Sequence, residues 1–261
     1  MAKLRFNVDV EINGKVVPSH SSPTNTLKQH IINELLGTAS LEQFSTLWFT
    51  SGGVAKDSIS NVSYQFSSPN QLQLYGSYTP SSSYTLDGMM LTTKNNNTYF
   101  ITSISPVNVT QGKTVNFTWT VTLDVSNRNS SGMLSKFRLD ATSLLCRLLP
   151  LILEIFIAGR TGANPTGVSL KPSKIEVYGQ DSVTVIASST NITATYDSTT
   201  SKVKWITDNF PVTQVSGNNE YIYKIQFVDT QSGCALIYWE WLQYEYVSVG
   251  DLIHVELDIG V

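Results

Sequence analysis

The sequence is short of charge. Of its 261 residues, 14% are Asp, Glu, Lys or Arg, against about 25% in an ordinary soluble domain. A net charge of −3 leaves no basic footprint. This excludes nucleic acid as the main ligand, because phosphate recognition needs clustered Lys and Arg. Histidine is scarcer still. His20, His30 and His254 stand far apart, with no pattern that would set a general base beside a nucleophile. Cysteine is limited to Cys146 and Cys234. Two thiols without further ligands at set spacing make no metal site. They read as buried thiols, with a disulfide as the alternative because both lie in the same half of the chain. HExxH and GxSxG are missing too. Gly112-Lys113-Thr114 mimics the end of a phosphate loop, but Val107 stands where the first glycine belongs. The segment that follows reads as a strand, whereas phosphate is held at a helix N-terminus. No enzyme activity, cofactor or metal is expected. Met1 is not followed by a charged segment and an apolar one, so no secretory signal is expected either.

Long apolar runs are also rare, and the single exception organises the chain. Ser143–Ala158 (SLLCRLLPLILEIFIA) is broken only by Ser143, Arg147, Pro150 and Glu154. Their spacing of four, three and four puts them on one narrow helical stripe. The rest of the helix is apolar and must be covered nearly all round. The run is shorter than the ~20 residues a bilayer needs and contains Arg147 and Glu154, so no membrane span is expected. Leu145, Leu148, Leu149, Ile152, Ile155 and Phe156 form one continuous face. They are the expected contact with another domain or subunit.

Elsewhere the pattern is β. Lys3–Ile12 alternates, with Leu4, Phe6, Val8, Val10 and Ile12 on one side. Asn13-Gly14 signals a type I′ hairpin. Thr26–Leu36 reads as a helix with Thr26 and Gln29 as a capping box and Gly37 at its end. His30 in this helix is expected to face solvent or an interface. Short strands separated by Ser, Pro, Gly and Asn then run to Val125. Residues 126–132 (SNRNSSG) hold no apolar residue and mark a boundary.

Beyond it the order repeats. Lys136-Phe137-Arg138-Leu139 echoes Lys3-Leu4-Arg5-Phe6, and the long helix takes the place of the first. Gly112–Phe117 corresponds to Gly250–Val255. A period of this length means tandem domains rather than a solenoid. The expectation is a mainly β chain with two helices. It would form tandem β-sandwiches, jelly-roll-like or immunoglobulin-like, over 1–130 (helix 26–36) and 133–261 (helix 143–158).

Leu27–Thr38 (LKQHIINELLGT) followed by Gly88–Leu123 resembles the small tail and fibre domains of tailed bacteriophages and related viruses. Gly112, Thr118 and Trp119 match that family's last strand; the second half keeps Gly250 but not the tryptophan. The resemblance implies a structural virion protein of a tail, turret, spike or portal-proximal ring. It would be located in the virion, with copies of itself and other virion proteins as partners and no catalytic residues. A surface of hydroxyls and amides keeps its charge as pH falls, which would suit a virus of an acidophilic, archaeal host.

The alternative is a carbohydrate-binding module or adhesin for host attachment. Tyr238, Trp239, Trp241 and Tyr244 in YWEWLQYEY are its candidate glycan contacts, against core or interface packing as the other reading. Glu240 and Glu245 sit on opposite faces of a continuous strand and make a poor glycosidase pair. The pattern slips near Leu242, which predicts a bulge or bend. Asn-x-Ser/Thr acceptors occur at Asn61, Asn96, Asn108, Asn116, Asn129 and Asn191. Asn96 and Asn129 lie in predicted turns and are the candidate glycosylation sites.

Overall fold

The computed structural model describes residues 2–60, 62–126, 148–159, 169–230 and 234–261. β1 (Ala2–Ile12) and β2 (Lys15–Val17) form the expected hairpin. Asn13 and Gly14 both take positive φ, 52° and 74°, as a type I′ turn requires. β3 (Ser19–Pro23) leads into helix α1 (Asn25–Leu36). The helix starts earlier than the capping box predicted. Thr24 is the cap, and its hydroxyl accepts from Leu27 N at 3.3 Å. The reason lies in the sheet. Thr24 N–H donates to Tyr99 O and its Oγ1 to Thr98 O. This holds the residue extended at the end of β3, with its oxygen facing the helix. Gln29 instead bonds Asn33 within the helix. Gly37 ends it at φ 94°, a left-handed conformation costly for other residues.

Seven strands follow: β4 (Phe44–Ser51), β5 (Val54–Ser60), β6 (Ser63–Ser68), β7 (Gln71–Tyr78), β8 (Tyr84–Thr93), β9 (Thr98–Val109) and β10 (Val115–Ser126). Among the described residues, helix α2 (Leu148–Ala158) opens the second half. Behind it come β11 (Lys174–Tyr178), β12 (Val185–Ser189), β13 (Ile192–Asp197), β14 (Lys202–Thr207) and β15 (Phe210–Pro211). β16 (Glu220–Asp229), β17 (Cys234–Val247), β18 (Leu252–Ile253) and β19 (Glu256–Gly260) complete the described strands. The protein is mainly β with two helices.

The two halves are wired alike. In the first, β4 pairs β5 and β8, β8 pairs β9, and β7 pairs β6 and β10. In the second, β11 pairs β12 and β16, β16 pairs β17, and β14 pairs β13 and β19. Seven strands thus follow one scheme twice, each time after a helix that ends in a left-handed glycine. The turns before the closing strands also match. Gly112 N–H donates to Pro80 O and Lys113 N–H to Thr110 O; Gly250 N–H donates to Val212 O and Asp251 N–H to Ser248 O. Residues 136–139, which echo β1 in sequence, lie outside the described residues, as does most of the expected boundary at 126–132.

The halves meet in one sheet of order β13-β14-β19-β1-β10-β7-β6. β1 runs antiparallel to β10 along its length and parallel to β19 at Ala2 and Lys3. Sheet β3-β9-β8-β4-β5 packs on one arm, and sheet β12-β11-β16-β17 packs on the other. Two tryptophans mark these contacts. Trp119 is 1% exposed, meets Phe100 edge-on at 5.2 Å and donates to Thr102 Oγ1 at 3.2 Å. Trp205 meets Phe227 at 5.4 Å and donates to Leu35 O at 3.0 Å. That carbonyl belongs to the last turn of α1, which has no partner within its own helix. One indole therefore ties the second half to the first.

Replacing Trp119 by Ala is expected to cost about 3–5 kcal/mol in denaturant unfolding. A variant as stable as the wild type would place the residue at the surface.

Candidate functional site

The apolar helix packs within its own chain. Leu148, Leu149, Ile152, Ile155 and Phe156 are buried within a single chain, and so are Pro150, Leu151 and Leu153. Phe156 stacks on Phe44 at 4.6 Å and meets Tyr99 and Phe100 edge-on at 5.8 and 6.5 Å. The first half supplies this aromatic seat. Of the two covers expected for this face, another domain or another subunit, it meets the first half of its own chain, and side chains already buried there offer nothing to a second copy. Leu145 and Cys146 lie outside the described residues. Pro150 is buried rather than solvated, and only Glu154, Ile157 and Ala158 are half-exposed. No helix among the described residues is long and apolar enough to cross a membrane.

His30 does not simply face solvent. Its Nδ1 lies 2.7 Å from Tyr99 Oη, which also accepts from Glu42 N–H at 2.9 Å. The Glu42 carboxylate accepts from Thr93 Oγ1 and from Asn97 Nδ2. Burial works against its charge, but hydrogen bonds from Thr93, Asn95 and Asn97 and the nearby His30 outweigh it. The carboxyl stays below its usual range. Burial pushes the Tyr99 hydroxyl up. This network fastens α1 and the α1–β4 loop to β8 and β9. His20 and His254 take no part in it, and among the described residues no His, Cys, Asp and Glu cluster could hold a metal.

The aromatic stretch falls on β17. Tyr238 stands opposite Gln226, Trp239 opposite Ile225 and Glu240 opposite Lys224. Residues 241–244 face the single residue Tyr223, so the register breaks around Leu242, where the slipped alternation pointed. The side chains of Tyr238, Trp239, Trp241 and Tyr244 lie outside the described residues, as does that of Cys234. Beside them, the outer face of β11 and β16 carries a polar cluster. Glu176 accepts from Lys174 Nζ at 2.8 Å and from Tyr178 Oη and Gln226 Nε2 at 2.7 Å each. Lys224 Nζ lies 4.0 Å above the Tyr178 ring, a cation–π contact. Tyr221 and Tyr246 pair at 3.9 Å, and Tyr246 is exposed. Asn96 is exposed in the β8–β9 turn with φ 63°; Asn129 lies outside the described residues.

The other prominent surface lies at β6, the edge of the shared sheet. Tyr64 and Phe66 pair with the buried Leu74 and Leu72 and so lie on the core-facing side. Yet they are 51% and 43% exposed, on the last described strand at this end of the sheet. A cleft of about 350 Å³ opens beneath, lined by Phe44, Val62, Tyr64, Leu74, Leu91 and Ile157. Sequence reading identified neither Tyr64 nor Phe66. Their signal was present as aromatic alternation in a strand without charge.

Two outcomes follow. Leu149→Asp places a charge in a dry core and is expected to abolish cooperative melting of the whole chain, read by circular dichroism. A folded variant that merely fails to assemble would restore the surface reading. Glu176 gives a pH test. Burial opposes its charge, but hydrogen bonds from Lys174, Tyr178 and Gln226 hold its carboxyl below the usual carboxylate range. Such a group stabilises above its unfolded pKa, and the contribution is lost as pH falls through the depressed folded value. Glu176→Gln should therefore flatten the acid limb of a plot of melting temperature against pH. An unchanged limb would refute this.

Comparison of the chain with protein families, with curated proteins and with solved structures finds no match.

Proposed function

We propose that the chain is a non-enzymatic structural subunit of a virion, part of a tail, turret, spike or portal-proximal ring. The observation that carries this reading is the duplicated wiring. The same seven-strand scheme occurs twice on a shared sheet, with matching glycine turns before each closing strand. Two sandwiches joined through a sheet and a common core make a stiff module suited to bearing load in an assembly. The sequence resemblance to tail and fibre domains through Gly112, Thr118 and Trp119 points the same way. So does the weakly charged surface, which suits an acidic medium and an archaeal host. Mass spectrometry of purified virus particles from cultures that carry the gene is the test. The chain is expected at the copy number of a structural component, and its absence from intact particles would overturn the reading.

A second reading, glycan attachment, is favoured by the outer face of β11 and β16. Tyr178, Gln226 and Glu176 offer hydroxyl, amide and carboxylate groups, and the exposed Tyr246 lies on β17, opposite Tyr221 further along β16, groups that suit sugar rings and their hydroxyls. Glycan-array binding that weakens on Tyr246→Ala is its expected result; an array without signal would remove it.

A further inference from the structure

A strand at the edge of a sheet leaves a row of N–H and C=O groups open to another strand, and proteins blunt such edges with charge, proline or a covering loop. Among the described residues, the sheet edges follow that rule with one exception. β3 ends in Pro23, β5 carries Lys56 and Asp57, β13 ends in Asp197, and β17 contains Glu240 and Glu245. β12 has neither charge nor proline but is covered by the segment after β15. Thr213 N–H donates to Ile186 O at 2.8 Å, and Gln214 Nε2 donates to Val185 O at 2.7 Å. β6, of sequence SYQFSS, has no charge, no proline and no strand beyond it among the described residues.

We infer that β6 is a self-pairing edge through which two copies of this chain join antiparallel around Gln65. The sequence of the strand is its own complement. With a two-fold axis through the Gln65 pair, Tyr64 stands opposite Phe66 of the second copy, and Phe66 opposite Tyr64. Ser63 stands opposite Ser67, and Gln65 opposite itself. Directly opposed residues of an antiparallel pair share a face, so the aromatics of both copies gather on the cleft side and the serines and glutamines on the other. Aromatic cross-strand pairs stabilise a sheet, whereas like charges brought opposite themselves would oppose it. A two-fold contact sets every residue near its own symmetry axis against its own kind, so an uncharged strand suits it. The same pairing covers the exposed rings of Tyr64 and Phe66. Gln65 makes its described side-chain bond to Gln73 on the neighbouring strand. Its exposed position lets it be changed without disturbing the core.

The inference deepens the reading of the chain as an assembly subunit and rests on it only for the expectation of self-contact. It is tested on the full chain by light scattering coupled to size exclusion, over a range of concentrations. The wild type is expected to show twice the chain mass at high concentration. Gln65→Lys and Gln65→Glu, each alone, set two like charges on the axis and should give monomers with unchanged melting. An equimolar mixture of the two should recover the dimer mass. Gln65→Cys should form a cross-linked dimer on oxidation, and Tyr75→Cys, on the same face but one strand further from the axis, should not. A wild type that remains monomeric, or a dimer unmoved by either charge, would overturn the pairing. Particles that contain the chain while it is monomeric in solution and uncross-linked at Gln65→Cys would refute the pairing and leave the virion reading intact. A β6-linked dimer absent from particles would do the reverse.

Discussion

Water cannot solvate α2, and the architecture answers to that constraint. Eight of its eleven residues are buried, and each large apolar side chain removed from water contributes roughly 1.5–3 kcal/mol. Such a helix is stable only where protein surrounds it. The aromatic seat of Phe44, Tyr99 and Phe100 comes from the first half of the chain, while the helix itself belongs to the second. The Trp205 bond to Leu35 O ties the halves in the opposite direction. A continuous core and a shared sheet are the result.

Much of the fold was legible in the sequence, for definable reasons. β1 alternates because one face meets the core, and its hairpin turn is written in Asn13-Gly14. The correspondence of Gly112 with Gly250 was readable because a left-handed turn selects glycine at both places. β5 was not readable: it is largely exposed on both faces, so no alternation marks it. The cap at Thr24 was missed because its position depends on bonds to Thr98 and Tyr99, far along the chain. The cover of α2 stayed open between another domain and another subunit for a similar reason. Periodicity shows that a helix must be covered, but the identity of the cover is a tertiary fact. The exposed pair Tyr64 and Phe66 escaped attention because their alternation reads as ordinary core; their exposure on the last described strand of the sheet is again a tertiary fact.

Scarcity of charge shapes the surface as well. The described ion pairs are few and lie on sheet faces, as between Lys204 and Glu256 or Lys174 and Glu176. Buried carboxylates are held by backbone donors instead. Glu34 accepts from the N–H groups of Ser40 and Leu41, and Glu220 from those of Gln180 and Ser216. Gly179 leaves room for Glu220, since a Cβ there would lie 2.0 Å from its Oε1. Such carboxylates act as loop fasteners.

The position of β1 sets the order in which the chain can fold. Leu4 pairs with Val125, and Ala2 with Ile259, so β1 is synthesised long before the strands β10 and β19 that flank it. Pairings this distant in sequence close large loops and slow folding. During synthesis β1, paired only with the short β2 at Val10–Ile12, therefore spends a long interval with most of both edges open. Its outward residues in that interval are Lys3, Arg5, Asp9 and Glu11, a concentration of charge unusual in this sequence. Charge at an unpaired strand resists premature association. The chain thus spends its scarce ionic groups where the nascent strand is exposed longest.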